Sequence, residues 1–262
     1  MPVLSPVEGK VAVIALNTFK EAVRDRILYA VLVFALVMLA GSTILVTISV
    51  GGEEKVIKDL GLACISIFGL LIAIFLGIGL VSKEIEKRTL YTIITKPIHR
   101  YQFILGKYLG LVLTLLVNVL VMALGLIGLA YVWEGTASPR LVLAVLFIFL
   151  ELVLVTAIAM VFSAFSSPAL SAMFTMCLFV AGHLSADLRL FAAHFGGAAT
   201  KLLAETLYFL LPNLSRLSFK DQAVHPLAID GGTAALSLVY AIFYAAALVL
   251  AAVAIFQRRD FK

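Results

Sequence analysis

The sequence predicts an all-α fold, a polytopic membrane protein with six transmembrane helices. Three observations lead there. Of the 262 residues, 63% are hydrophobic, only 13% are charged, and mean hydropathy is +1.13; chains that fold in water are about 45–50% apolar and about 25% charged. Six runs reach the roughly 18 to 20 apolar residues that a helix needs to cross about 30 Å of hydrocarbon. Those runs are continuous, whereas a membrane barrel shows segments of about 10 residues alternating in polarity. A soluble enzyme, a disordered tail and a disulfide-built secreted module are thereby excluded. Cys64 and Cys177 both lie in apolar runs and read as packing residues.

Residues 1–26 precede the first run. Ala12, Leu16, Phe19 and Val23 recur at helical spacing, with Lys10, Asn17, Lys20, Glu21, Arg24 and Asp25 on other faces. This fits an amphipathic helix on the inner membrane surface; a solvated extension is the alternative. The six-helix transmembrane domain, 27–262, then has spans at 27–50, 61–82, 108–133, 141–165, 169–186 and 233–256. The first is too long, and preceded by too much charge, for a cleaved signal core.

Residues 83–107 hold six Lys and Arg, the densest charge in the chain. Pro97 divides them, since it lacks an N–H and biases Lys96 toward extended backbone. A helix before it carries Glu84, Glu86, Lys87 and Arg88 and then Thr89, Leu90 and Tyr91; Thr95 leads into the proline, and a second short helix starts near His99 with Arg100, Tyr101 and Phe103. Such a knuckle offers charged edges and apolar or aromatic anchors to a partner's groove. A positive anchor on lipid headgroups is the alternative.

Glu151 is the only charged residue in these six runs. An unpaired carboxylate at bilayer depth costs roughly 2.5–3.5 kcal/mol, so it needs a proton or a partner. The fourth and fifth spans are joined by Ser166-Ser167-Pro168 alone, which makes them antiparallel neighbours. Glu151 and His183 then both lie roughly 21 Å from that turn, while Asn118 in the third span lies about 15 Å from its own inner end. His183 is the first candidate partner and Asn118 the second. Glu151 is either a buried residue holding helices together or part of a substrate path.

The segment 187–232 combines a ten-residue apolar stretch, Leu202–Leu211, too short to span and read as re-entrant or interfacial, with a polar loop over Asn213–Gly232. His194 and His225 are too isolated for metal binding, and no metal site is expected. Lys and Arg number 13 on the side of the termini and 7 on the other, so both termini are expected in the cytoplasm of a cell-membrane protein. The net charge of +5 is thus an orientation signal; no nucleic-acid partner is expected. Gly106 and Gly110 form a GxxxG, a weak pointer to a dimer. No Walker loop, GxSxG, HExxH or paired CxxC occurs, so the chain is not expected to be an enzyme or to hold a cofactor of its own.

The stretch SKEIEKRTLYTIITKPIHRYQFILGKYLG, from Ser82 to Gly110, resembles the cytoplasmic loop of ABC-2 type permeases, the membrane subunits of ABC exporters. The matching features are Glu84 and Glu86, Thr89-Leu90, Thr95-Lys96-Pro97 and Gly106-Lys107. NTFKEAVRDRIL, from Asn17 to Leu28, is similar to that family's connecting helix, and six spans with an enlarged segment before the last agree. Arg88 stands where many members have Gly. The resemblance implies an ABC-2, type V exporter-like architecture that dimerises with a second copy or a homologue and couples to a separate ABC ATPase subunit, which holds ATP and Mg. Glu84–Lys107 would supply the coupling helix. Two other functions compete: a membrane scaffold that transmits ATPase-driven work to an extracytoplasmic partner at 187–232, and an ion-driven secondary carrier. The lone intramembrane carboxylate weakens the second.

Overall fold

The computed structural model describes residues 6–48, 53–86, 99–135, 138–195, 197–225 and 230–258. Within them six helices are long and apolar enough to cross a bilayer, with spanning windows Arg26–Ile44, Glu54–Gly79, Arg100–Trp133, Pro139–Ser163, Pro168–Ala192 and Gly231–Gln257. In chain order the helices are α1 (Pro6–Val23), α2 (Arg26–Ile48), α3 (Glu53–Glu86), α4 (Arg100–Glu134), α5 (Pro139–Ser163), α6 (Pro168–Phe195), α7 (Ala198–Leu210), a 3₁₀ turn (Leu214–Leu217), the short α8 (Lys220–Val224) and α9 (Gly231–Arg258).

Local chemistry sets the boundaries. The Asp25 carboxylate accepts the Ile27 N–H at 3.0 Å and starts α2. At α4 the Gln102 side chain reaches back to accept the His99 N–H at 3.2 Å. Gly135 ends that helix in the left-handed region at φ 70°, its N–H donating to Tyr131 O. Pro139 sits in the first turn of α5. Between α5 and α6, Ser166 Oγ donates to Phe162 O at 2.8 Å and lies 2.6 Å from Ser171 Oγ, so the tight turn satisfies its own polar groups.

Helices α3, α4 and α5 form the core, and α2, α6 and α9 turn much of their surface outward. Close approach depends on missing side chains. A Cβ on Gly61 would collide with Leu126 of α4 and one on Gly69 with Leu152 of α5, while one on Gly77 would lie 2.8 Å from Ala159 Cβ. Helix α1 lies along the first turns of α4. Gly106 leaves room for Ile14, since a Cβ there would be 2.7 Å from Ile14 Cβ, and a Cβ on Gly110 would fall 2.5 Å from Ala15 O. The GxxxG pair is therefore filled within the chain, by α1. The buried face of α1 is Thr18 and Ala22 with Ile14 packed beside them, while Leu16, from the expected apolar face, is exposed. So α1 has three faces: polar, apolar outward, and a small-residue face on α4.

The helices also run further than the apolar runs. Lys58 is buried in the opening turns of α3. Arg100 through Lys107 are continuous with α4, because nothing between Tyr101 and Gly110 breaks a helix. Helix α6 continues past Ala186 to Phe195. The largest departure is at Asn213–Val224, expected as polar loop: Leu214, Leu217, Phe219 and Ala223 are all buried, against α5, α6 and α9 among others. Apolar residues at 214, 217, 219 and 223 give the segment a buried side, and it re-enters the bundle at the end opposite the termini.

Candidate functional site

Two places in the bundle gather chemistry. The first is the re-entrant segment and the helices it meets. Glu151, at mid-length of α5, is 0% exposed. His183 of α6 brings Nε2 to 3.3 Å from Glu151 Oε1, the neighbour that the depth arithmetic puts first. His183 Nδ1 lies 3.3 Å from Phe179 O. A carbonyl only accepts, so Nδ1 carries the hydrogen, and Nε2 faces the carboxyl group with its other lone pair or a second proton. Two bare acceptors at that separation repel. A proton on either the imidazole or the carboxyl relieves that repulsion. Among the described residues neither Glu151 oxygen has a well-aimed hydrogen bond, so the pair rests on proximity and burial.

Lys220 completes the cluster. Phe219 stacks on Phe147 of α5 with ring centroids 4.1 Å apart. That anchor carries the next residue inward, where Lys220 Nζ donates to Ser66 Oγ of α3 at 2.9 Å, and its charge acts on both Glu151 and His183. Room for the segment comes from Gly182, beside His183: a Cβ there would lie 2.6 Å from Pro212 O and 3.0 Å from Leu214 Cγ. Ser215 Oγ donates to His183 O at 2.9 Å, and the Asn213 N–H donates to Tyr240 Oη of α9 at 2.8 Å. The cluster thus ties α3, α5, α6, α8 and α9 at one level. Asn118 is not in it: its Nδ2 donates to Thr114 O at 2.8 Å, one turn back on α4, and its buried Oδ1 has no partner among the described residues.

The second place is the foot of α4. Arg100 Nη1 donates to the last carbonyls of α9, Gln257 O at 3.1 Å and Phe256 O at 3.4 Å, where a cation suits the negative helix end. Phe103, expected to face a partner, instead turns inward: it is 6% exposed and stacks on Phe256 at 6.2 Å. Its ring is flanked by Lys107 Nζ, 5.4 Å from the centroid. Tyr101 is 37% exposed and stacks on His99 at 5.7 Å. Glu84 and Glu86 lie in the last turns of α3. Lys87, Arg88, Thr89, Leu90, Tyr91, Thr95 and Pro97 lie outside the described residues.

Sequence reading misses Lys220 and Ser66. The signal that points to Lys220 is its neighbour Phe219 and the buried spacing of Leu214, Leu217 and Ala223 within a loop that otherwise looks polar. Ser66 has none, as serine is unremarkable in a membrane helix.

The family model described as ABC-2 family transporter protein matches residues 12–261. No curated protein matches the chain.

Proposed function

The chain belongs to the ABC-2 transporter family, which makes it the membrane-spanning subunit of an ABC transporter, and from that premise we propose that it is the permease of an ATP-driven exporter. It works as a dimer, with itself or a homologue, in the cell membrane with both termini in the cytoplasm. A separate ATPase subunit docks on the connection between α3 and α4 and carries the ATP and Mg. The outward faces of α2, α6 and α9 leave surface for the second copy.

The observation that carries this reading is the build of the α4 foot. Arg100 holds the end of α9, Phe103 stacks on the same end, and Gly106 and Gly110 seat α1. A push on the connection ahead of Arg100 therefore moves α1, α4 and α9 together. A mere headgroup anchor has no use for such a junction; a lever does.

Co-expression with a candidate ABC ATPase subunit tests the docking. Losing a charge at an interface rim costs about 1 kcal/mol, and losing a packed aromatic about 2 kcal/mol or more. Lys87→Glu with Arg88→Glu is expected to weaken copurification most at low salt, and Tyr91→Ala at every salt concentration. Normal copurification and transport by both variants would show that the connection is only an anchor.

A further inference from the structure

At the end of the bundle away from the termini, two arginines converge on one tyrosine. The Arg189 guanidinium, from the last turns of α6, lies 4.7 Å from the Tyr208 ring centroid on α7. Arg216, in the 3₁₀ turn, donates from Nη2 to Tyr208 Oη at 3.1 Å and lies 5.8 Å from the Tyr240 ring. Its backbone is pinned as well, since Ser237 Oγ of α9 donates to Arg216 O at 3.0 Å. Both cations are thus positioned by aromatic rings and not by carboxylates. Asp187 on α6, Glu205 on α7 and Asp221 on α8 are near in sequence, yet among the described residues neither arginine forms an ion pair.

Two further observations say what such a pair is for. Arg189 lies about 30 Å along α6 from Pro168, roughly the thickness of a bilayer's hydrocarbon core, so the cluster sits at headgroup level. Around it, Leu188, Leu190, Phe191, Leu202 and Leu203 are all exposed, an apolar rim suited to acyl chains. We propose that Arg189, Tyr208 and Arg216 form a binding site for the phosphate group of an anionic phospholipid.

The chemistry fits that ligand. A guanidinium stacked on a ring keeps its N–H edges free, and its fork matches two phosphate oxygens. Tyr208 Oη accepts from Arg216, which holds that guanidinium at the site. Burial pushes the Tyr208 phenol up, but the Arg216 hydrogen bond and charge, with Asn213 and Arg189, outweigh it and hold the group below its ordinary value. That is the mark of a strongly positive local potential. A zwitterionic lipid brings a cation of its own against two guanidiniums, and free phosphate gains nothing from the rim.

Native mass spectrometry of the full chain in detergent, titrated separately with phosphatidylglycerol, phosphatidylcholine and inorganic phosphate, tests this. Wild type is expected to hold phosphatidylglycerol at least about tenfold more tightly than phosphatidylcholine, as two charge-assisted contacts allow. Arg189→Gln, at an exposed side chain whose loss leaves the fold intact, lowers that preference, and Arg189→Gln with Arg216→Gln abolishes it. Arg140→Gln, an exposed cation at the start of α5, leaves it unchanged. Equal retention of the two lipids, a preference that survives the double substitution, or inorganic phosphate binding as tightly as phosphatidylglycerol would each overturn the assignment.

Discussion

Glu151 is where a single side chain decides most. Its partner His183 is legible in the sequence, because a three-residue turn fixes the register of two antiparallel helices and depth then becomes a count of residues. Lys220 is not, because its position depends on the stacking of Phe219 on Phe147, a contact between segments with no shared pattern. Glu151 faces His183 and also lies in the field of the half-buried Lys220 ammonium, so the three groups are coupled. Removing one member of a buried charge group strands the other, at about 3–5 kcal/mol, whereas removing both is often nearly neutral. Glu151→Leu is therefore expected to cost about 3 kcal/mol in unfolding experiments, and Glu151→Leu with Lys220→Met to recover at least about 1 kcal/mol of it. Glu151→Gln, whose amide can donate to His183 Nε2, costs less than Leu. Strictly additive losses in the double variant would show that the two charges do not cooperate.

At the scale of elements, type and number follow from hydropathy, but length and contact do not. Charged residues flanking an apolar run read as loop, although Lys107 continues a helix without strain when neighbouring helices cover it. Helix α1 shows why faces are misassigned: Thr18 and Ala22 are weakly apolar and lose to Leu16 in any hydrophobicity count, yet the small Ala15 and Thr18 let α1 come close over Gly110 while Ile14 fills the space at Gly106. Gly110→Val must move either Ala15 O or the whole of α1, so overpacking is expected to cost about 1–3 kcal/mol. The thermal unfolding midpoint measures the loss. Gly128→Ala, on the same helix with open space around its Cα, serves as the control and is expected to be neutral or slightly stabilising. An unchanged midpoint for Gly110→Val would mean that α1 does not depend on this seat.

For the whole molecule, six spans were legible because lipid demands unbroken apolar runs, a constraint with no soluble counterpart. The re-entrant segment was not, since a short buried stretch between helices carries only a scatter of apolar residues in a polar loop. The Lys and Arg asymmetry makes a prediction at this scale. In a background lacking Cys64 and Cys177, Lys201→Cys on exposed α7 is expected to react with a membrane-impermeant maleimide in intact cells. Glu21→Cys on exposed α1 is expected to react only after permeabilisation, and equal labelling of both from outside would reverse or abolish the topology. The buried cluster also sets a schedule for biogenesis. The ribosome makes Glu151 before His183, so at about 5–20 residues per second roughly 2–6 s pass between the carboxyl group and the imidazole that faces it. During that interval α5 enters the membrane with its acid unanswered, which favours a neutral carboxyl at insertion and retention of α5 beside the translocon until α6 has been made.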